Sequence, residues 1–215
     1  MKDLISFLAA GGPLMVPLGI CSVLALGFII ERLVNLRRSR ILVPEIVQLV
    51  DTIEGPRDLD LALKILDRNP GSLANIARTA LENRHLPEDE MREMTVDAGR
   101  REVKLIEKGL VPLEAIATVS PLLGLLGTVT GMIRTFRVIA LVGVGNANAI
   151  SGGISEALIT TAVGLSIAIP ALAAYHYFSI RASDIVSDME HLASLLLRKL
   201  RRMARESASA EGGAA

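Results

Sequence analysis

Apolar and charged positions alternate along this chain in long blocks rather than residue by residue. From Pro13 to Ile30 no charged residue occurs in eighteen positions. A helix of that length rises roughly 27 Å, close to the thickness of a bilayer's hydrocarbon core. The blocks from Ala115 to Ile133 and from Ala157 to Ile180 are equally free of charge, and both exceed the length of a buried core strand. The pattern predicts three membrane spans. A cleavable signal peptide is the rival reading of the first block. Against it, the only cation before the run is Lys2, and no small-x-small cleavage site follows before Glu31 and Arg32.

The polar segment between the first and second spans reads as helical. Breaks at Glu54-Gly55-Pro56, Asn69-Pro70-Gly71-Ser72 and His85-Leu86-Pro87 separate stretches with helical apolar spacing, such as Leu59, Ala62, Leu63 and Leu66. Three short helices and a long fourth are predicted. Pro87 followed by Glu88, Asp89 and Glu90 has the form of a helix start, with carboxylates at the positive end of the dipole. No strong breaker follows until Pro112, so this helix is expected to run on into the second span. Ile185, Met189, Leu192, Leu196 and Leu200 likewise predict that the third span continues past the membrane as one long helix.

The fold class expected is therefore all-α: an integral membrane protein with three transmembrane helices, two of them extended into long cytoplasmic helices, plus a small cytoplasmic helical domain. The expected order is a periplasmic amphipathic N-terminus (1–12), the first span (13–31), the cytoplasmic helical domain (32–110) and the second span (111–136). A short periplasmic loop (137–154), the third span (155–180), a cytoplasmic C-terminal helix (181–206) and a disordered tail (207–215) follow.

Composition agrees with this division. Hydrophobic residues make up 51% of the 215, yet 21% are charged, and the mean hydropathy is +0.46. Of the 23 lysines and arginines, 14 lie between Arg32 and Lys108 and six follow the third block. The positive-inside rule then places the middle segment and the C-terminus in the cytoplasm, so that the N-terminus faces outward. A formal net charge of zero and 3% aromatics argue against nucleic acid as a partner. Cys21 is the single cysteine, and His85, His176 and His191 are scattered, so no metal site and no cofactor are expected. No nucleophile-base pair is evident, and the chain is not expected to be an enzyme.

The later two spans are unlike plain lipid anchors. Ala117, Pro121, Gly124, Thr128, Gly131 and Thr135 recur at spacings of three and four, as do Ala157, Thr161, Gly164, Ala168 and Ala171. Small residues on one face allow close helix packing in a membrane. Gly127 and Pro170 join Gly124, Gly131, Gly164 and Pro121 in this expected packing set. The threonines admit a second reading. Thr128 precedes Arg134 by six residues and Thr161 follows Glu156 by five, which puts both roughly 7–9 Å from the outer charged boundary. Each hydroxyl can bond its own helix, or the two can share a layer lining a polar path. Glu156 is either a negative group at the mouth of that path or an interfacial helix cap. Thr130 is harder to place and is read as packing.

The stretch Ser120-Pro121-Leu122-Leu123-Gly124-Leu125-Leu126-Gly127-Thr128-Val129-Thr130-Gly131-Met132-Ile133, with Phe136, strongly resembles the second span of the MotA/TolQ/ExbB proton-channel family. Gly153-Ile154-Ser155-Glu156-Ala157-Leu158-Ile159-Thr160-Thr161-Ala162-Val163-Gly164-Leu165, with Ile169-Pro170-Ala171, resembles the third. Three spans rather than four make the likeness closest to the ExbB/TolQ branch.

The resemblance implies a homopentamer in the bacterial inner membrane. It surrounds an ExbD- or TolR-like single-span partner that bears a membrane aspartate, and it delivers work from the ion motive force to a TonB- or TolA-like protein. It also implies that the pore threonines fall on Thr128 and Thr161 and the third-span glutamate on Glu156. No Asp or Glu lies within the three apolar blocks, so a protonatable group deep in the membrane must come from another chain. The translocated ion is open between H⁺ and Na⁺. Thr160 stands where proton-using members tend to carry alanine, and with Thr128 and Thr161 it could help to replace the water around Na⁺. The rival to a channel subunit is a non-conducting membrane scaffold that recruits cytoplasmic partners.

Overall fold

The computed structural model describes residues 11–53, 55, 58–143 and 147–212. The start of the expected N-terminal segment and the last three residues of the expected tail lie outside the described residues. Among the described residues every regular element is an α-helix. We number them α1 (Met15–Asn35), α2 (Arg38–Ile41), α3 (Pro44–Thr52), α4 (Asp58–Arg68), α5 (Ser72–Glu82), α6 (Glu88–Lys108), α7 (Val111–Val142) and α8 (Ala147–Gly212). Three stretches are long and apolar enough to cross a membrane: α1, the apolar part of α7 and the first part of α8.

The chain divides into two compact units. The first holds α1, α7 and α8 as far as Phe178. Its helices are apolar on nearly all sides, as lipid-facing helices must be. Val16, Ile20, Val23 and Leu26 of α1 are exposed, whereas Leu18 and Ala25 are buried. Ala25 meets Ile116, Ala117 and Ala171, flanked by Cys21, Phe28 and Ile167, so α1 packs through small residues against both other spans. Pro121 and Pro170 lie inside α7 and α8. Each removes one intrahelical hydrogen bond, a loss that membrane helices tolerate.

The second unit comprises Leu33–Lys108 and the rest of α8. Its core is built from short amphipathic helices. Ile46 and Val50 of α3, Leu59, Ala62 and Leu66 of α4, and Leu73, Ala77 and Leu81 of α5 are buried. On α8 the buried set is Ile185, Met189, Leu192, Leu196, Leu200 and Met203, one face at three-four spacing. The helix ends fall where the sequence marks them: α4 stops at Arg68 before Pro70, α5 starts at Ser72, and α6 opens on Glu88, Asp89 and Glu90.

Several boundaries differ from expectation. The helix from Glu88 does not run unbroken into the second span, because α6 ends at Lys108 and α7 begins at Val111. Pro112 has no N–H to offer the carbonyl of Lys108 four residues back, and Gly109 leaves room for the Arg32 guanidinium, which a Cβ there would overlap. The expected loop 137–154 is mostly helical. α7 continues to Val142, where Gly143 adopts a left-handed φ of 73° and donates to the Ile139 carbonyl at 2.9 Å, and α8 begins at Ala147. No breaker stands between Arg137 and Gly143 to end the helix earlier. At the other end α8 extends to Gly212, six residues into the segment expected as a disordered tail. Alanine and glutamate in 206–211 propagate a helix already nucleated upstream.

Candidate functional site

α7 and α8 form an antiparallel pair joined by a seam of small residues. Gly164 lies against the Ser120 carbonyl, Gly124 against the backbone of Thr160 and Thr161, Gly127 against the Thr160 side chain, and Gly131 against Gly153 and Ala157. Most of these approaches leave no space for a side chain. A Cβ on Gly164 would come within 2.6 Å of the Ser120 oxygen, and one on Gly131 within 2.8 Å of the Gly153 oxygen. Gly124 stands at 3.0 Å from the Thr161 Cα by the same measure. Such contact is the means by which helices associate in lipid.

The seam residues on α7 are Ala117, Ser120, Gly124, Gly127, Gly131 and Thr135, and on α8 they are Gly153, Ala157, Thr160, Gly164, Ala168 and Ala171, all buried. Pro121 and Thr128 are half-buried beside it, Thr161 is half-buried, and Pro170 is exposed. Gly127 of the expected packing set lies in the seam, and Ser120 and Gly153 stand in it beside the positions expected from spacing. Spacings of three and four fit 120-124-127-131 as well as 121-124-128-131, and only the partner helix selects between them. Ser120 is fully buried, and its hydroxyl has no partner among the described residues.

The hydroxyls are used differently. Thr161 donates across the seam to the Gly124 carbonyl at 3.0 Å. Thr128 donates within its own helix to Leu125 at 2.6 Å. Thr160, only 1% exposed, is shared between the carbonyls of Glu156 at 3.0 Å and Ala157 at 2.9 Å. Thr130 also turns back on its own helix, to Leu126 and Gly127. Thr161 therefore stands opposite Gly124, about one helical turn from the level of Thr128. Counting inward from Arg134 and Glu156 had brought the two threonines to one layer. The long Arg134 side chain spans the offset between the backbones, so the charges mark no common depth.

In an antiparallel pair, the residue that follows a seam position turns to the same side on both helices. Thr128 follows Gly127 and Thr161 follows Thr160, so both lie along one edge of the seam. Glu156 lies about 140° around α8 from Thr161, and Arg134 about 120° around α7 from Thr128, which puts both on the opposite edge. There the Arg134 Nη1 meets the Glu156 Oε2 at 2.5 Å. The Glu156 side chain is 13% exposed and that of Arg134 is 55% exposed. Among the described residues no group of three or more His, Cys, Asp and Glu stands close enough to hold a metal ion.

Residues 69–191, more than half of the chain, match the model of a family described as the MotA/TolQ/ExbB proton channel family. A Synechocystis protein named as biopolymer transport protein ExbB-like 3 is 37% identical over 170 residues, which are 76% of this chain and 79% of that protein. The Tol-Pal system protein TolQ of Pseudomonas aeruginosa is 43% identical over 95 residues, 44% of this chain and 41% of its own length. The biopolymer transport protein ExbB of Xanthomonas campestris is 36% identical over 93 residues, 43% of this chain and 37% of its own.

Proposed function

Because the chain belongs to the MotA/TolQ/ExbB proton channel family, in its ExbB/TolQ-like branch, we propose that it is the ion-conducting stator subunit of an inner-membrane motor that energises transport or envelope work. Its subunits assemble as a homopentamer around an ExbD- or TolR-like helix bearing a membrane carboxylate, and the complex acts on a TonB- or TolA-like protein. Thr128 and Thr161 lie on the conducting edge. The partner's aspartate completes the path, since α1, α7 and the membrane part of α8 supply hydroxyls and no deep acid. The cations of 32–108 and of the C-terminal part of α8 favour a cytoplasmic second unit and a periplasmic N-terminus.

The observation that carries this reading is the shared edge of Thr128 and Thr161. A helix that served only to pack would bury its hydroxyls in the seam, as Thr160 does. Instead two half-buried hydroxyls stand along one side of it, where a further helix can reach them. The burial of Thr160 also favours H⁺ over Na⁺. With Gly127 pressed against it, its oxygen has no space beside it for a sodium ion, whereas a proton needs only a relay and a carboxylate.

Thr161→Val is the test. An interhelical hydrogen bond in a membrane contributes about 0.6 kcal/mol on average, so losing it leaves the complex assembled. Proton flux through vesicles containing this variant and its single-span partner is expected to fall tenfold or more. Flux that survives at the wild-type level would take Thr161 off the conducting path, and wild-type vesicles that conduct no protons would favour the scaffold reading instead.

A further inference from the structure

Glu156 is the acidic residue closest to the apolar part of α8, and its surroundings differ from those of the threonines. Arg134 approaches it from α7 at 2.5 Å. Gly12, in the turn that leads into α1, approaches it from a third direction: φ there is 70°, and a Cβ would overlap the Glu156 Oε1. Gly11 adjoins Ile159, at 3.2 Å by the same measure, and Ile159 lies on the same side of α8 as Glu156. The carboxylate thus sits where the N-terminal turn, α7 and α8 meet. It is largely covered, and it is already neutralised.

We propose that Arg134 and Glu156 form a strut that locks these three segments at the outer end of the first unit, and that Glu156 is not a station for the translocated ion. Arg134 is then a positioning residue for the channel. Three features support this. The pair lies on the opposite edge of the seam from Thr128 and Thr161. The guanidinium holds the carboxylate to the helix pair instead of leaving it to face a path. Gly12 provides the left-handed turn and the missing side chain that let the turn before α1 lie close against the carboxylate. Losing Glu156 would leave an arginine unpaired at the outer end, where a bare cation repels an entering one. The damage would come from the exposed Arg134 rather than from a missing relay.

The inference rests on the channel reading and is tested by a double-mutant cycle on the complex with its single-span partner in vesicles. Glu156→Gln alone is expected to lower proton flux per assembled complex by tenfold or more and to lower its thermal midpoint. Adding Arg134→Gln to it should recover most of that tenfold, because the two amides can still hydrogen-bond between α7 and α8 and no charge is left unpaired. Arg137, one turn further out and exposed, is the control: Arg137→Gln should recover nothing in the Glu156→Gln background.

A double variant that assembles normally and conducts no better than Glu156→Gln would overturn the strut, as would equal recovery from Arg137→Gln. If the neutral pair does not assemble, the exchange Arg134→Glu with Glu156→Arg decides. It should exceed both of its single variants in assembly and flux, and an exchange no better than either single one overturns the proposal. Wild-type vesicles that conduct no protons would refute the channel reading separately, and the thermal-midpoint cycle would still read the pair.

Discussion

Ser120 and Thr161 are hydroxyls on facing helices whose surroundings give them opposite expected costs of removal. The Ser120 oxygen is buried without a partner among the described residues, and an unsatisfied buried polar group costs about 1–3 kcal/mol. Ser120→Ala is therefore expected to leave the thermal midpoint of the purified protein unchanged or raised, and a drop of several degrees would reveal a partner for the hydroxyl. Gly127 is the reverse case. A methyl there overlaps the Thr160 side chain, and overpacking of this kind costs about 1–3 kcal/mol. Gly127→Ala should lower the midpoint, and Thr160→Gly in the same chain should return part of the loss. Independent, additive losses would mean that the two residues do not meet. Neither role is written in the residue type, since a serine and a glycine in an apolar run are equally at home facing lipid.

Among the elements, the part of α8 beyond the membrane shows which contacts matter. Leu196 is 1% exposed and lies on the buried face with Met189, Leu192 and Leu200. Arg38 pairs with Asp188 at 2.6 Å while 69% exposed. Leu196→Ala is expected to destabilise the protein by about 2–5 kcal/mol, whereas Arg38→Ala should cost less than about 1 kcal/mol. Denaturation in detergent monitored by circular dichroism measures both, and a larger loss for Arg38→Ala would invert this ranking. The apolar face of α8 was legible in the spacing of Ile185, Met189, Leu192 and Leu196, because period alone fixes a helix face. So were the breaks at Asn69-Pro70-Gly71 and before Glu88. The break at 109–110 was not. Gly109 by itself is tolerated within a helix, and it becomes a boundary only with Pro112 beyond it and the Arg32 side chain filling its vacant position.

At the scale of the whole molecule the question is which ion does the work. The proposal predicts that energy coupling by the reconstituted complex persists in Na⁺-free medium and collapses when a protonophore removes the proton gradient. Activity that requires a Na⁺ gradient would show that Thr160 is reached by the ion after all. Much of the molecule was decided by sequence alone. Three charge-free blocks are each long enough to span a bilayer, and none carries a carboxylate. The helices between them are marked by their prolines, and the runs around Gly124-Thr128 and Glu156-Thr161 identify the family. These are properties of length, composition and local order, which no folding can change. The tertiary structure decided which side of each helix is used. It put Ser120 in the seam beside Gly127 and moved Thr128 and Thr161 to its edge, one turn apart. It also turned Glu156 away from the threonines and onto Arg134. One hundred degrees separate neighbouring residues on a helix, so a face read from spacing can be off by one position until a partner helix is present to select it.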